Sequence, residues 1–255
     1  MSSFRAVIRL ILFMLWTVFM VSVQLVVKMF CKGRFIFFIP YLWHKGVCRI
    51  FGIRVDVMGS PIHDRQVMYV SNHVSYLDIP VLGGLIYGQF IAKKEVETWP
   101  VFGFLSKLQN TFFVDRSGEK VEQDYKGLSD EMDQKKNLIL FPEGTSSNGL
   151  ELLPFKSRFL SLVLERAQNV SIQPVTILLL HADTQAKRDE YAWYGDMELA
   201  PHLWNLAKGN GVSVRVMFHE PLEIDGEITR KELTNLSYEV IAKGLNNNTV
   251  SNNLE

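Results

Sequence analysis

The stretch LILFMLWTVFMVSVQLVV, residues 10–27, limits the fold of this chain more than any other feature. It runs for 18 residues without a charge, close to the ~20 that a helix needs to cross a hydrocarbon core about 30 Å thick. Arg5 and Arg9 ahead of it resemble a secretory leader, but no small-x-small cleavage site follows and Lys28 closes the run directly. It therefore reads as an uncleaved anchor, one that just spans a bilayer or lies in its interface. A second apolar patch, FIFFIPYLW at 35–43, is too short to span and contains Pro40, so it is expected to be an interfacial or re-entrant piece packed beside the first. Tyr41, Trp43, Lys45 and Arg49 suit a headgroup boundary. Five basic residues follow the first apolar run and two precede it. The positive-inside tendency then puts the rest of the chain on the cytoplasmic side, that of the inner membrane if the source is bacterial.

Charge divides the chain in the same place. The formal net charge is zero, yet seven of the 27 basic residues and no acidic one fall within residues 1–50, which leaves 20 basic against 27 acidic side chains beyond. Beside an apolar run, the basic cluster is suited to anionic lipid. The expected organisation is a membrane anchor with a basic interfacial segment at 1–49, one compact domain at 50–245, and an Asn- and Ser-rich disordered tail at 246–255. Cys31 and Cys48 are the only cysteines, so neither a disulfide framework nor a zinc spacing is visible. An acidic main domain without nucleic-acid motifs argues against a DNA or RNA partner. No G-x-S-x-G elbow, G-x-G-x-x-G turn or Walker loop occurs, which removes the usual serine hydrolases and nucleotide-binding enzymes.

Past residue 50, strand-like and helix-like stretches alternate. GIRVDVMG, QVMYVS, GQFIAKK, TFFVDR, NLILFPEG, VSIQPVTILLL and VSVRVMFHEPLEI read as strands, and YLDIPVLGGLI and FKSRFLSLVLERAQ as helices. Residues 119–136 form the cleanest helical pattern, with Val121, Tyr125, Leu128 and Met132 on one stripe. Thr229 and Glu232 have capping-box spacing ahead of a last helix through about Lys243. Such alternation predicts an α/β domain, a mixed central sheet flanked by helices with largely sequential strand order.

Chemistry concentrates in VSNHVSYLDIP, residues 70–80, where a strand run gives out before a helix begins. Within a regular helix, side chains five positions apart diverge by about 140°, so His73 and Asp78 would not meet. On a bend capped by Asn72 or Ser75, the His73 ring can swing onto the Asp78 carboxylate. A carboxylate on one ring nitrogen fixes the tautomer and leaves the other nitrogen free to take a proton from a hydroxyl. Taken alone, a histidine near an aspartate more often serves a surface or capping arrangement. A second constellation, LFPEGTSSNG at 140–149, gives a tight turn in which Pro142 fixes the backbone, Gly144 permits close approach, and Glu143 and Thr145 offer hydrogen-bonding groups. In FFVDR, Arg116 ends a strand with a fork suited to phosphate.

Asn72-His73 with Asp78, Phe113 with Arg116, Phe141-Pro142-Glu143-Gly144-Thr145, and IQPVTI around Pro174 stand in the order and approximate spacing of the four blocks of the glycerolipid acyltransferase family. Over residues 50–225 the chain resembles its 1-acylglycerol-3-phosphate acyltransferases or a close lysolipid-acylating relative. The resemblance implies a membrane-bound enzyme in which His73 deprotonates the acceptor hydroxyl and Asp78 orients it. It also implies that Arg116, Glu143, Gly144 and Thr145 form the acceptor site, with Arg116 on the phosphate and the Glu143 carboxylate hydrogen-bonding or positioning nearby groups. The donor would be acyl-CoA or acyl carrier protein, the acceptor a lysolipid, and neither cofactor nor metal is needed. Backbone N–H groups just after His73 are a physical option for holding the oxyanion. FKSRF departs from the family by placing Arg158 where a glycine is common, and whether Lys93 or Lys94 of AKKE faces the site stays open. YAWYGDMELAPHLW, 191–204, resembles a segment of one bacterial branch that includes lyso-ornithine lipid acylation. The resemblance therefore implies 1-acylglycerol-3-phosphate as acceptor, giving phosphatidate for phospholipid synthesis, with lyso-ornithine lipid or another lysophospholipid as the alternative. The segment's aromatics either pack under the sheet or touch the acceptor. IPVLGGLIYG and WPVFGFLSKL, with Trp99 and Phe102, are candidate walls of an acyl channel. The other histidines, His44, His63, His181, His202 and His219, are expected to be structural. A non-catalytic membrane scaffold is the rival of another class, and it would not require His73 and Asp78 to meet.

Overall fold

The computed structural model describes residues 2–115, 121–166, 169–182, 184–224 and 228–251. Two helices open the chain, α1 (Ser2–Phe30) and α2 (Phe38–Phe51), joined by a 3₁₀ turn at Gly33–Phe37. Pro40 falls in the first turn of α2, where its missing N–H would have had no helical partner anyway. Gly52 ends the helix in the left-handed conformation, φ 73°. The patch at 35–43 is thus the beginning of an amphipathic helix that buries Ile39, Val47 and Phe51 and leaves Phe38 exposed.

Beyond them, in chain order, come β1 (Arg54–Met58), β2 (Gln66–Ser71), α3 (Asp78–Gly83), β3 (Gln89–Lys93), α4 (Phe102–Leu108), β4 (Phe112–Val114), α5 (Val121–Asp133), β5 (Leu138–Leu140), α6 (Ser161–Leu164), β6 (Val170–Leu180), α7 (Gln185–Arg188), α8 (Leu199–Lys208), β7 (Ser213–Phe218) and α9 (Arg230–Ser251). The seven described strands make one mixed sheet in the order β1-β7-β6-β2-β5-β3-β4. All neighbours run parallel except β6 and β7. The α/β class is as the alternation predicts, but the strand order is not sequential. The cause lies in β6, whose 11 residues are long enough to pair with β2 over 170–175 and with β7 over 175–180. β7 then returns antiparallel and seats β1 at the edge.

Both faces of the sheet are covered, so its central strands carry apolar side chains on both sides. In β2, Val67 and Tyr69 enter a core shared with α2, α3 and α8, while Met68 and Val70 enter a second one. That second core takes in Leu128 and Met132 of α5 and Leu233 and Ile241 of α9. The helix expected over FKSRFLSLVLERAQ is broken into a 3₁₀ turn, Arg158–Leu160, and the four residues of α6. Leu160, Leu162 and Val163 are all fully buried there, a density of packing that a single amphipathic stripe does not give. At the chain's end, Thr229 Oγ1 accepts from the Glu232 N–H at 3.2 Å and the Glu232 carboxylate accepts from the Thr229 N–H at 2.8 Å, the reciprocal capping box. α9 continues past Lys243 to Ser251, into the stretch expected to be a disordered tail; Gly244 and Leu245 are still buried against the domain.

α1 lies along the domain and is fastened to it at both ends. Arg5 and Arg9 donate to the Gly209 carbonyl at 3.0 and 2.9 Å, and Arg9 also to that of Ala207. Two cations thereby meet the unpaired carbonyls at the C-terminus of α8, an arrangement that contributes about 0.3–1 kcal/mol per charge. Mid-helix, Trp16 Nε1 donates to the Trp43 carbonyl and Trp43 Nε1 to Thr17 Oγ1. Near its other end, Lys28 donates to the Leu108 carbonyl and Asn110 Oδ1 at 3.0 and 2.9 Å. The opposite side is a continuous apolar surface that includes Ile11, Leu15, Val18 and Phe19. Its most apolar window has mean hydropathy 2.5 with 17% of residues buried.

Candidate active site

β2 ends at Ser71, and the chain then bends away from the sheet. Asn72 makes the bend rigid. Its buried side chain donates to the Ile177 carbonyl at 2.9 Å and accepts from the Ile177 N–H at 2.7 Å, which carries the β2–β6 ladder one step further through an amide side chain. Asn72 is therefore not the helix cap; Ser75 is closer to that role, accepting from the Leu77 N–H at 3.2 Å.

The bend brings His73 back over the first residue of α3. His73 Nδ1 lies 2.7 Å from Asp78 Oδ2. Asp78 is fully buried, and its carboxylate also accepts from the N–H groups of Val74 and Ser75 at 2.7 and 3.0 Å and from the Tyr191 hydroxyl at 2.8 Å. A carboxylate only accepts, so Nδ1 carries the proton and Nε2 is the nitrogen left for another group. The N–H groups of Val74 and Ser75 are committed to Asp78, which removes them as donors to an oxyanion.

The Pro142 turn closes on the histidine from the other side. The Phe141 ring stacks on His73 with centroids 4.2 Å apart. Gly144 takes φ +75°, as the turn requires, and its N–H bonds back to the Phe141 carbonyl. Glu143 is buried and faces the protein: one oxygen accepts from the His73 N–H at 2.6 Å and the other from the Leu153 N–H at 2.8 Å. Burial pushes its carboxyl up from 4.5 to about 7 against those two hydrogen bonds, with a smaller push from Asp78. Glu143 thus positions its neighbours, as a brace between two loops. Gly144 and Thr145 do line the space beside His73, and Thr145 is exposed to it. The Ser147 N–H completes the brace by donating to the His73 carbonyl at 2.9 Å.

Among the remaining sequence candidates, Phe113 stands in β4 in register with Ala92. Pro174 sits mid-β6, opposite Val70 of β2, with its carbonyl accepting from His219. Pro142 is buried, and its carbonyl accepts from the Lys156 N–H. Arg116 lies outside the described residues. Arg158 is exposed at the start of its 3₁₀ turn, so that position needs no glycine. Lys93 lines the site and Lys94 pairs with Glu97. Tyr191 was not legible as a partner of Asp78, since 113 residues separate them; the only signal was the likeness of its segment to one bacterial branch. Of the other histidines, His44 bonds Gln109, His202 bonds Tyr76 and His219 bonds Thr176. Burial pulls His44 down to about 4.

His73 opens into a cavity of about 450 Å³ whose lining is mostly apolar. Phe13 and Met20 of α1 and Trp43 of α2 form one wall; Pro80, Trp99 and Phe102 come from the two segments expected to wall a channel. Trp193 and Tyr194 reach it as well, while Tyr191 of the same 191–204 segment is buried in the core. Among the described residues, no group of three or more His, Cys, Asp or Glu is placed to hold a metal ion. A histidine oriented by a buried carboxylate, at the mouth of an apolar cavity, is equipped to take a proton from a hydroxyl delivered with an aliphatic chain.

Several known proteins resemble this chain. A family model described as Acyltransferase matches residues 54–178. The lyso-ornithine lipid O-acyltransferase of Brucella abortus is 35% identical over 76% of this chain and 77% of its own, and that of Rhizobium meliloti is 33% identical over 81% and 74%. A 1-acyl-sn-glycerol-3-phosphate acyltransferase of Neisseria meningitidis is 30% identical over 68% of each chain. The crystal structure of the 1-acyl-sn-glycerophosphate (LPA) acyltransferase PlsC from Thermotoga maritima superposes on 98% of both chains with a TM-score of 0.69 at 22% identity, a likeness of fold.

Proposed function

This chain belongs to the acyltransferase family, and on that premise we propose that it moves a fatty acyl group from an acyl thioester to the free hydroxyl of lyso-ornithine lipid. The observation that carries the chemistry is the 2.7 Å contact of His73 Nδ1 with a fully buried Asp78. His73 Nε2 takes the proton of the acceptor hydroxyl as its oxygen attacks the thioester carbonyl. The tetrahedral oxyanion collapses, the C–S bond breaks, and the imidazolium returns the proton to the leaving thiolate. Base action of this kind contributes about 10²–10⁴ in rate. The donor is acyl-CoA or acyl carrier protein, and no acyl-enzyme is required.

Lyso-ornithine lipid is favoured as acceptor by the identities of 35% and 33% over about three quarters of the chain, and by the 191–204 segment at the site. The Neisseria relative supports 1-acylglycerol-3-phosphate as the second reading, with Arg116 as its phosphate ligand. The membrane arrangement follows from α1. Its 29 residues make a helix about 43 Å long, tied to the domain by Arg5 and Arg9 at one end and Lys28 at the other. A helix held along its own domain in this way lies half-immersed in one leaflet, apolar side down; the seven basic and no acidic residues of 1–50 favour the anionic cytoplasmic leaflet. Purified protein supplied with palmitoyl-CoA or palmitoyl carrier protein, and with lyso-ornithine lipid or lysophosphatidate, tests the assignment. Turnover that survives His73→Ala undoes the mechanism, and turnover on lysophosphatidate alone reverses the choice of acceptor.

A further inference from the structure

Asp78 has a partner that the reaction does not call for. Oδ2 takes the imidazole N–H and two backbone N–H groups, whereas Oδ1 takes the hydroxyl of Tyr191, from the connection between β6 and β7. Tyr191 is fully buried. A phenol placed there only to fill space would carry a desolvation cost that phenylalanine avoids, so the hydroxyl is explained by its bond. Burial, with the carboxylate beside it, holds its pKa well above 10, so it stays a donor at any working pH. The connection is latched to the same loops: the Trp193 N–H donates to the Val74 carbonyl at 3.0 Å and Ser146 Oγ donates to the Trp193 carbonyl.

We propose that Tyr191 is a positioning residue, whose hydroxyl holds Asp78 Oδ1 so that Oδ2 stays aligned on His73 and its negative charge is shared. The inference rests on the reading of His73 as base. Removing the hydroxyl leaves Oδ1 buried without that donor and concentrates charge on the oxygen facing the imidazole. The imidazolium is then better stabilised, and His73 needs a higher pH to become an active base. The titratable groups around the pair are Glu143 from the Pro142 turn, Tyr76 from the loop that carries His73, Cys48 from α2 and Tyr191 itself. Of these, only Glu143 titrates near neutrality, so the profile is taken in the Glu143→Gln background as well.

The test is the pH profile of kcat for Tyr191→Phe with palmitoyl-CoA and whichever of lyso-ornithine lipid or lysophosphatidate turns over. We expect kcat to fall about tenfold at pH 7, KM to stay within about twofold, and the acidic limb to move up by about half a pH unit or more. In an Asp78→Asn background, Tyr191→Phe is expected to change kcat less than about twofold, because it acts through Asp78. An unshifted limb, whether kcat is intact or reduced equally at every pH, overturns the proposal, as does a multiplicative effect in the double variant. Should Tyr191→Phe fail to fold by circular dichroism, 3-fluorotyrosine at 191 keeps the shape and strengthens the donor. The limb must then move down, and an unmoved limb counts against the idea. Activity retained by His73→Ala would sink the base assignment itself, an outcome separate from any of these.

Discussion

Glu143→Gln separates the charge of the Pro142 turn from its shape. In the folded protein this carboxyl keeps its proton up to about pH 7 in place of 4.5, chiefly because burial disfavours the charge. The unfolded chain releases the same proton at the ordinary carboxylate value, so between those two pH values the folded state binds more protons than the unfolded one. Stability from this group is greatest below pH 4.5 and is lost as pH rises through about 7. At about 1.4 kcal/mol per tenfold in the proton equilibrium, the loss is about 3 kcal/mol. Glutamine does not titrate, which removes that slope. It also accepts through only one oxygen, so its NH₂ confronts the N–H of either His73 or Leu153, at a cost of about 1–3 kcal/mol at every pH. The assay is urea unfolding of both proteins in mild detergent from pH 5 to pH 8. Wild type should exceed the variant most at pH 5, with the margin shrinking by about 2.5 kcal/mol toward pH 8, since part of the loss already lies below pH 5. A margin that does not vary with pH would mean an ordinary carboxyl at 143 and would refute the reasoning from burial.

Asn72→Ala leaves both the N–H and the carbonyl of Ile177 without the side chain that satisfies them; thermal unfolding should report a loss of about 2–4 kcal/mol. Gly83 packs directly beneath the His44 ring, so Gly83→Ala should push α2 from α3 and cost about 1–3 kcal/mol, read as a lower Tm. Removal of residues 1–49 takes away Phe13, Met20 and Trp43 from the cavity wall; the remaining domain should be inactive even on detergent-dispersed substrates, as a product assay would show.

Local chemistry was readable in the letters and long-range pairing was not. β6 announces itself by Val170 and Ile172 ahead of the run Val175–Leu180, β-branched residues and then leucines, and its bounds, Val170–Leu180, match VSIQPVTILLL residue for residue. The capping box of α9 needs only Thr229 and Glu232 three positions apart. The His73–Asp78 contact was derivable because two residues five apart can meet only on a bend. The strand order was hidden because it depends on β6 dividing its length between two partners, which no local pattern encodes. Which groups the Glu143 carboxylate positions could not be read from the motif, because its direction is set by the N–H groups of His73 and Leu153. The choice between Asn72 and Ser75 as cap was hidden for a related reason: either residue before a helix is a normal cap, and only β6 alongside offers the asparagine another use.

The wall that α1 and α2 lend to the cavity has a kinetic consequence. A lysolipid whose tail already rests against Phe13, Met20 and Trp43 can reach His73 by sliding sideways. What such an enzyme senses is the mole fraction of acceptor in the surface it occupies, not moles per litre. Mixing inert lipid into the vesicles should therefore slow turnover at constant total acceptor, the behaviour known as surface dilution.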